Sequence, residues 1–244
     1  MTYCVGIALE KGLVFCSDSR TNAGIDQVST YGKMHTFGAD GDRQFVLLSA
    51  GNLATTQSVV SQLKQDIRAG GLSLMTVPTL ADGADYIGEL SVKRQARYIE
   101  GGLSSFDPKV TFIFGGQIRG EAAAIFLIYS EGNHITTSHD HPFLQIGESK
   151  YGKPILDRVI TPTTSLEEAA KCAIVSMDST LRSNLGVGPP IELRVYDGEK
   201  FSPGRYLRFE DDAPYLRLLA KSWNQKLIEA FTTLPSITWT TDAY

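Results

Sequence analysis

The chain has 244 residues, 42% of them hydrophobic, with 23 Lys and Arg against 27 Asp and Glu and a formal charge of −4 at pH 7. That is apolar material enough for one sizeable core, and the charge is spread, with no run of five like charges, which argues against nucleic acid or an anionic membrane as the main partner. Cys4, Cys16 and Cys172 are odd in number and irregular in spacing, so they form neither a disulfide framework nor a zinc site. No secretory leader and no apolar run of about 18 residues is present, and the expectation is a cytoplasmic protein with reduced thiols.

Tyr3–Leu9 and Leu13–Ser17 are apolar or β-prone, with Glu10-Lys11-Gly12 between them. Glycine in a short loop between two such runs predicts a hairpin. Ser19–Tyr31 is polar and turn-rich and reads as a loop lining something. Lys33–Phe37 resumes a strand, Gly38–Asp42 is a turn, and Gln44–Ala50 is another strand. A helix follows from about Asn52 to Arg68, with Leu53, Val60 and Leu63 on one face and Gly70-Gly71 at its end. A second helix spans Leu80 to Arg97, with Thr79 as N-cap.

Val110–Phe114 and Ala122–Tyr129 are predicted strands, separated by a turn over Gly115–Gly120. His134–Thr137 and Phe143–Ile146 are further strands, and a helix follows Gly147 to about Val159. Thr164-Ser165-Leu166-Glu167 has the form of a capping box with Thr164 as N-cap, opening a helix that ends near Ser183. Ile191–Tyr196 is the last core strand, and Pro214 to about Ala230 is a C-terminal helix with proline in its first turn. Strands in antiparallel runs and helices in pairs predict two stacked sheets covered by helix layers. No linker or internal repeat interrupts residues 1–244, so a single domain is expected, with a C-terminal helix and tail from about residue 210.

Three residues near the start carry chemistry. Removal of Met1 would give Thr2 a free α-amine beside its hydroxyl, a nucleophile with its own base. An unperturbed α-amine titrates at about 7.7–8.0, close enough to neutrality for a base. Asp18 ends the second strand of the hairpin, near the first strand's beginning, and Lys33 supplies an ammonium. Taken singly, each has an ordinary reading: a common second residue, a turn carboxylate and a solvated lysine. His139-Asp140-His141 has no third ligand at a recognisable spacing. Gly186-Val187-Gly188 lacks the rest of a dinucleotide fingerprint, and there is no phosphate-binding loop and no Gly-x-Ser-x-Gly. No metal and no cofactor is expected.

The opening TYCVGIALEKGLVFCSDSR, with Gly32-Lys33 and Ser49-Ala50-Gly51, resembles the proteasome β-subunit family, and more narrowly its bacterial ancestral β-subunit (Anbu) branch. The resemblance implies an α+β fold, the four-layer αββα sandwich of the N-terminal nucleophile hydrolases. It implies Thr2 as nucleophile, Lys33 and Asp18 as its partners, Gly51 as oxyanion N–H donor, and Arg20 as a supporting residue. Thr21, Ser49 and Leu53 would line the pocket for the residue before the scissile bond. The family's remaining supporting groups match less directly. Its serine after a glycine is displaced by one, to Ser149. Its aspartate before the last core strand is absent from Ser183–Gly188, where Ser183 opens the stretch and Asp178 lies on the preceding helix.

The resemblance thus implies a threonine hydrolase that cleaves peptide amides through an acyl ester, self-associated as a ring or open spiral. Tyr215, Leu216, Leu218, Leu219 and Trp223 on the last helix offer apolar surface for a subunit contact. An amidase for small non-peptide substrates and a non-catalytic assembly subunit are the alternatives. The sequence names no ATPase partner.

Overall fold

The computed structural model describes residues 1–22, 28–99, 107–237 and 239. The chain forms two compact units, Met1–Asp211 and Asp212–Tyr244. The first begins with a hairpin of β1 (Tyr3–Leu9) and β2 (Gly12–Ser17) in the register Cys4↔Ser17. Both strands are buried on both faces, as their nearly continuous apolar runs require. Ser19–Tyr31, expected as loop, holds a short antiparallel pair, β3 (Arg20–Asn22) and β4 (Val28–Thr30). Residues 23–27 of that stretch lie outside the described residues.

β5 (Met34–Ala39) pairs with β6 (Arg43–Gly51). α1 (Leu53–Ala69) starts at Asn52, whose Oδ1 accepts from the Thr55 N–H at 3.1 Å, a cap typically worth about 1 kcal/mol. It stops at Gly70, which adopts φ 75°. α2 (Leu80–Ile99) is capped by Thr79, whose Oγ1 accepts from the Asp82 N–H.

β7 (Val110–Ile118) continues through Gly115 and Gly116, where a turn was expected. Those glycines serve close packing instead. A side chain at Gly115 would meet Ile125 at 2.5 Å, and one at Gly116 would meet the Gln44 carbonyl at 1.9 Å. β8 (Ala124–Ile128), β9 (His134–Thr136) and β10 (Phe143–Gly147) follow. α3 (Lys153–Val159) begins later than expected.

α4 (Leu166–Ser183) is capped by Ser165 rather than Thr164: the Ser165 Oγ accepts from the Glu168 N–H and donates to the Glu168 carboxylate. Thr164 instead accepts from the Thr161 N–H. β11 (Ile191–Asp197) carries an additional edge partner, β12 (Arg205–Phe209), which the sequence pattern does not foretell. In the second unit, α5 (Pro214–Thr232) leaves Leu218, Leu227, Ile228 and Phe231 exposed.

One five-stranded sheet runs β10-β1-β2-β11-β12 and another β5-β6-β7-β8-β9, all neighbours antiparallel. Alternation on β6 and β7 shows what each face of the second sheet covers. Phe45, Leu47, Phe112 and Phe114 join a cluster with Val59, Leu63, Ala84 and Ile87 of α1 and α2. Val46, Leu48 and Ile113 join Cys4, Leu13, Phe15 and Ile146 of the first sheet. α4 packs on β1, β2 and β11.

Candidate active site

The register of the first hairpin places Asp18 beside the start of β1. The Asp18 N–H donates to the Tyr3 carbonyl at 3.2 Å, and the Tyr3 N–H donates to Asp18 Oδ1 at 3.1 Å. Tyr3 is itself anchored. Its ring is fully buried, and its hydroxyl lies 2.9 Å from Ser176 Oγ on α4 and accepts from Gln145 Nε2 at 2.8 Å. Thr2, the next residue toward the N-terminus, is therefore held by strand pairing on one side of Tyr3 and by core packing on the other. Its carbonyl accepts from the Glu148 N–H at 2.7 Å. Gly147 lies so close that a side chain there would meet the Thr2 carbonyl oxygen at 2.0 Å.

Lys33 enters from the second sheet. Its carbonyl accepts from the Ser49 N–H at 3.1 Å, so the end of the β5–β6 pairing aligns it with Ser49–Gly51. Its Nζ donates to Asp18 Oδ1 at 2.6 Å and to the Arg20 carbonyl at 2.7 Å. The Asp18 side chain is fully buried and that of Lys33 is 9% exposed. Asp18 Oδ2 also accepts from the Gly188 N–H at 3.1 Å. Burial pushes the Asp18 carboxyl above its ordinary range, while the Lys33 ammonium and the Tyr3 and Gly188 amides pull it back. The pair is thus a desolvated charge pair whose hydrogen bonds come from both strands and loop.

Gly51 ends β6 with φ 113°, and a side chain there would meet the Lys109 carbonyl at 2.4 Å. Only glycine fits that turn into α1. A cavity of about 760 Å³ opens beside it, within the usual range for ligand pockets; Thr2, Arg20, Thr21, Lys33, Ser49, Gly51 and Leu53 all line it. The structure thus gathers seven of the residues named from sequence around one cavity. The Arg20 guanidinium also donates to the Leu185 carbonyl at 3.0 Å and lies against Gly188.

Four named residues are not among those lining the cavity: Asp18, buried against Lys33, and Ser149, Asp178 and Ser183. The Ser149 carbonyl accepts from the Lys153 N–H, at the start of α3. Asp178 pairs with Arg182 at 3.0 Å on α4. Ser183 is exposed at the end of that helix. Beside Thr2 the chain places Glu148 instead, whose carboxylate accepts from Asn184 Nδ2 at 3.1 Å. Sequence reasoning also misses His35 and Lys64, which line the same cavity. Burial, and then the charge of Lys64, hold the His35 imidazole down at about 4.

Among the described residues no group of three or more His, Cys, Asp or Glu is placed to hold a metal ion. No helix among them is long and apolar enough to cross a membrane. Cys4, Cys16 and Cys172 are free thiols, buried in the packing.

No protein-family model matches the chain. It is 26% identical over 205 residues, 82% of its length and 93% of the relative's, to proteasome subunit beta 2 of Pyrobaculum islandicum. Among solved structures, the Anbu complex of Pseudomonas aeruginosa, a helical assembly, matches with a TM-score of 0.94 and 45% identity over 99% of this chain and 100% of that one. Anbu from Yersinia bercovieri matches with a TM-score of 0.91 and 44% identity over 98% and 100%. The fold and the likeness to proteasome subunit beta 2 mark a relative of the proteasome β subunits. Within that class, the chain belongs to the Anbu, or ancestral β-subunit, family.

Proposed function

We propose that the protein is a cytoplasmic threonine hydrolase that cleaves peptide amide bonds through an acyl ester on Thr2, once Met1 has been removed. The observation that carries this is the Lys33–Asp18 pair, buried at 2.6 Å beside a cavity that Thr2 and Gly51 both line. An ion pair this desolvated beside a ligand-sized cavity is better explained by chemistry than by stability.

In this reading the Thr2 hydroxyl attacks the substrate carbonyl and gives its proton to the Thr2 α-amine, directly or through water. The Lys33 ammonium favours the developing alkoxide, and Asp18 fixes that ammonium in place. The Gly51 N–H donates to the oxyanion, a contact of the kind that lowers a barrier by about 2.7–4 kcal/mol. The amine then returns the proton to the leaving nitrogen, and water releases the acyl group. Thr21, Ser49 and Leu53 bound the pocket for the residue before the scissile bond. The contacts of α1 and α2 with one sheet, of α4 with the other, and of the two sheets with each other support the four-layer αββα arrangement. The helical assembly described for the Pseudomonas aeruginosa protein supports self-association of this chain as well.

The test compares Met1-free wild type with Thr2→Ala on a panel of peptide amides and small non-peptide amides. Turnover of peptides by wild type, lost in Thr2→Ala, is the expected result. Turnover of small amides alone would make the protein an amidase, and equal turnover by both proteins would reject the assignment.

A further inference from the structure

The loops on either side of Thr2 are tied together by Glu148 and Asn184. Asn184 Nδ2 donates to Glu148 Oε2 at 3.1 Å. The Glu148 N–H donates to the Thr2 carbonyl at 2.7 Å, so this residue is fixed to Thr2 by its backbone and to the opposite loop by its side chain. Asn184 is fixed in turn. Its N–H donates to the Thr180 carbonyl at 2.9 Å, its Oδ1 accepts from the Gly186 N–H at 2.9 Å, and its carbonyl accepts from the Val187 N–H at 3.1 Å. Met1 lies over this second loop, where a side chain at Gly186 would meet Met1 Cβ at 2.8 Å. The bond between Met1 and Thr2 therefore sits where the two loops meet. When Met1 leaves, the new amine appears next to the tie.

We propose that Glu148 is the positioning residue for the Thr2 α-amine: its carboxylate, held by Asn184, accepts a hydrogen bond from that amine directly or through one water. This rests on the reading of Thr2 as an N-terminal nucleophile and adds the group that orients its base. It also accounts for the placement of Ser149, Asp178 and Ser183 away from the cavity lining, since the orienting task falls to a different pair.

The charges around the amine give the proposal a signature. Lys33 and Asp18 come from the β5 and β2 ends and compensate each other at 2.6 Å. Arg20, on β3, is turned onto the Leu185 carbonyl. Asp178 and Arg182, on α4, are paired with each other. Glu192, on β11, accepts from the hydroxyls of Ser19 and Tyr206. Glu148 is left as the carboxylate without a cationic partner among the described ion pairs next to Thr2. A carboxylate within a few ångströms stabilises the ammonium form and raises its pKa by about one unit or more.

The experiment is competitive labelling of the N-terminal amine with isotopic acetic anhydride across pH 5–10, read by mass spectrometry on the N-terminal peptide of the Met1-free protein. It needs no activity. Glu148→Gln is expected to lower the amine pKa by about one unit, and Glu148→Asp to keep most of the shift. Asn184→Ala, which frees the carboxylate, is expected to lower it by less; it serves as the deciding variant should Glu148→Gln not fold. An amine pKa that is the same in wild type and in the folded variants overturns the proposal. A pKa that depends on Glu148 in a protein inert toward every amide upholds it while rejecting the hydrolase reading. In an active protein, the acid limb of kcat/KM moves to lower pH by the same unit in Glu148→Gln, a change that a purely structural role would not produce.

Discussion

Lys33→Met removes the ammonium from Asp18 and leaves a side chain of similar length. Asp18 is then a fully buried carboxylate with two backbone donors, the Tyr3 and Gly188 N–H groups, each at 3.1 Å. Breaking one side of a buried pair in this way costs about 3–5 kcal/mol, and the two remaining donors place the expected loss toward the lower figure. The penalty also depends on pH. Burial already raises the Asp18 carboxyl in the intact protein, and without Lys33 it rises further. The folded state then binds a proton more tightly than the unfolded chain, whose aspartate titrates near 3.9. Stability therefore falls as pH rises between the unfolded and folded values, and it recovers as pH drops. Urea denaturation of wild type and Lys33→Met at pH 5 and pH 7.5 measures this directly. A loss near 3 kcal/mol at pH 7.5 that shrinks by about 1 kcal/mol or more at pH 5 is expected. Asp18→Asn combined with Lys33→Met should regain much of it. A loss under about 1 kcal/mol, equal at both pH values, is the behaviour of an exposed pair and would refute the reasoning.

Two further substitutions probe the cavity. Gly51→Ala puts a side chain 2.4 Å from the Lys109 carbonyl at a φ of 113°. It should lower the unfolding midpoint by at least the equivalent of about 1–3 kcal/mol and abolish turnover, as thermal melts and peptide assays would show. Lys64→Glu tests specificity. The described cavity lining contains Arg20, Lys33 and Lys64 and no aspartate or glutamate, so peptides with an acidic side chain before the scissile bond should outpace basic ones. The substitution should cut the acidic-to-basic ratio of kcat/KM by about tenfold, and an unchanged ratio would place that side chain elsewhere.

The hairpin of β1 and β2, the helix limits near Gly70, and the grouping of Thr2, Asp18, Lys33 and Gly51 were legible because each rests on local signals: apolar runs, a glycine stop, and a motif confined to the first third of the chain. β12 was not. Its residues are mostly exposed, so no alternation marks them, and they form a strand only because β11 offers an edge. Gly115-Gly116 misled because glycine marks a turn and a close backbone approach equally well. The capping box was displaced by one residue since Thr164-Ser165 and Glu167-Glu168 offer two overlapping registers, and packing of Leu166 and Ala169 against the core decides between them. Glu148 escapes a search for a hydroxyl, whereas the strand register of β1 with β10 decides which residue stands beside Thr2.

The most direct test of Thr2 as an unblocked nucleophile is mass spectrometry after treatment with a peptide epoxyketone, which requires both a hydroxyl and a free amine on one residue. One adduct per chain, located on Thr2 of the Met1-free protein and missing from both Thr2→Ala and protein that retains Met1, is the predicted outcome. An adduct of equal yield on the Met1-retaining protein, or none on a folded Met1-free chain, would contradict it.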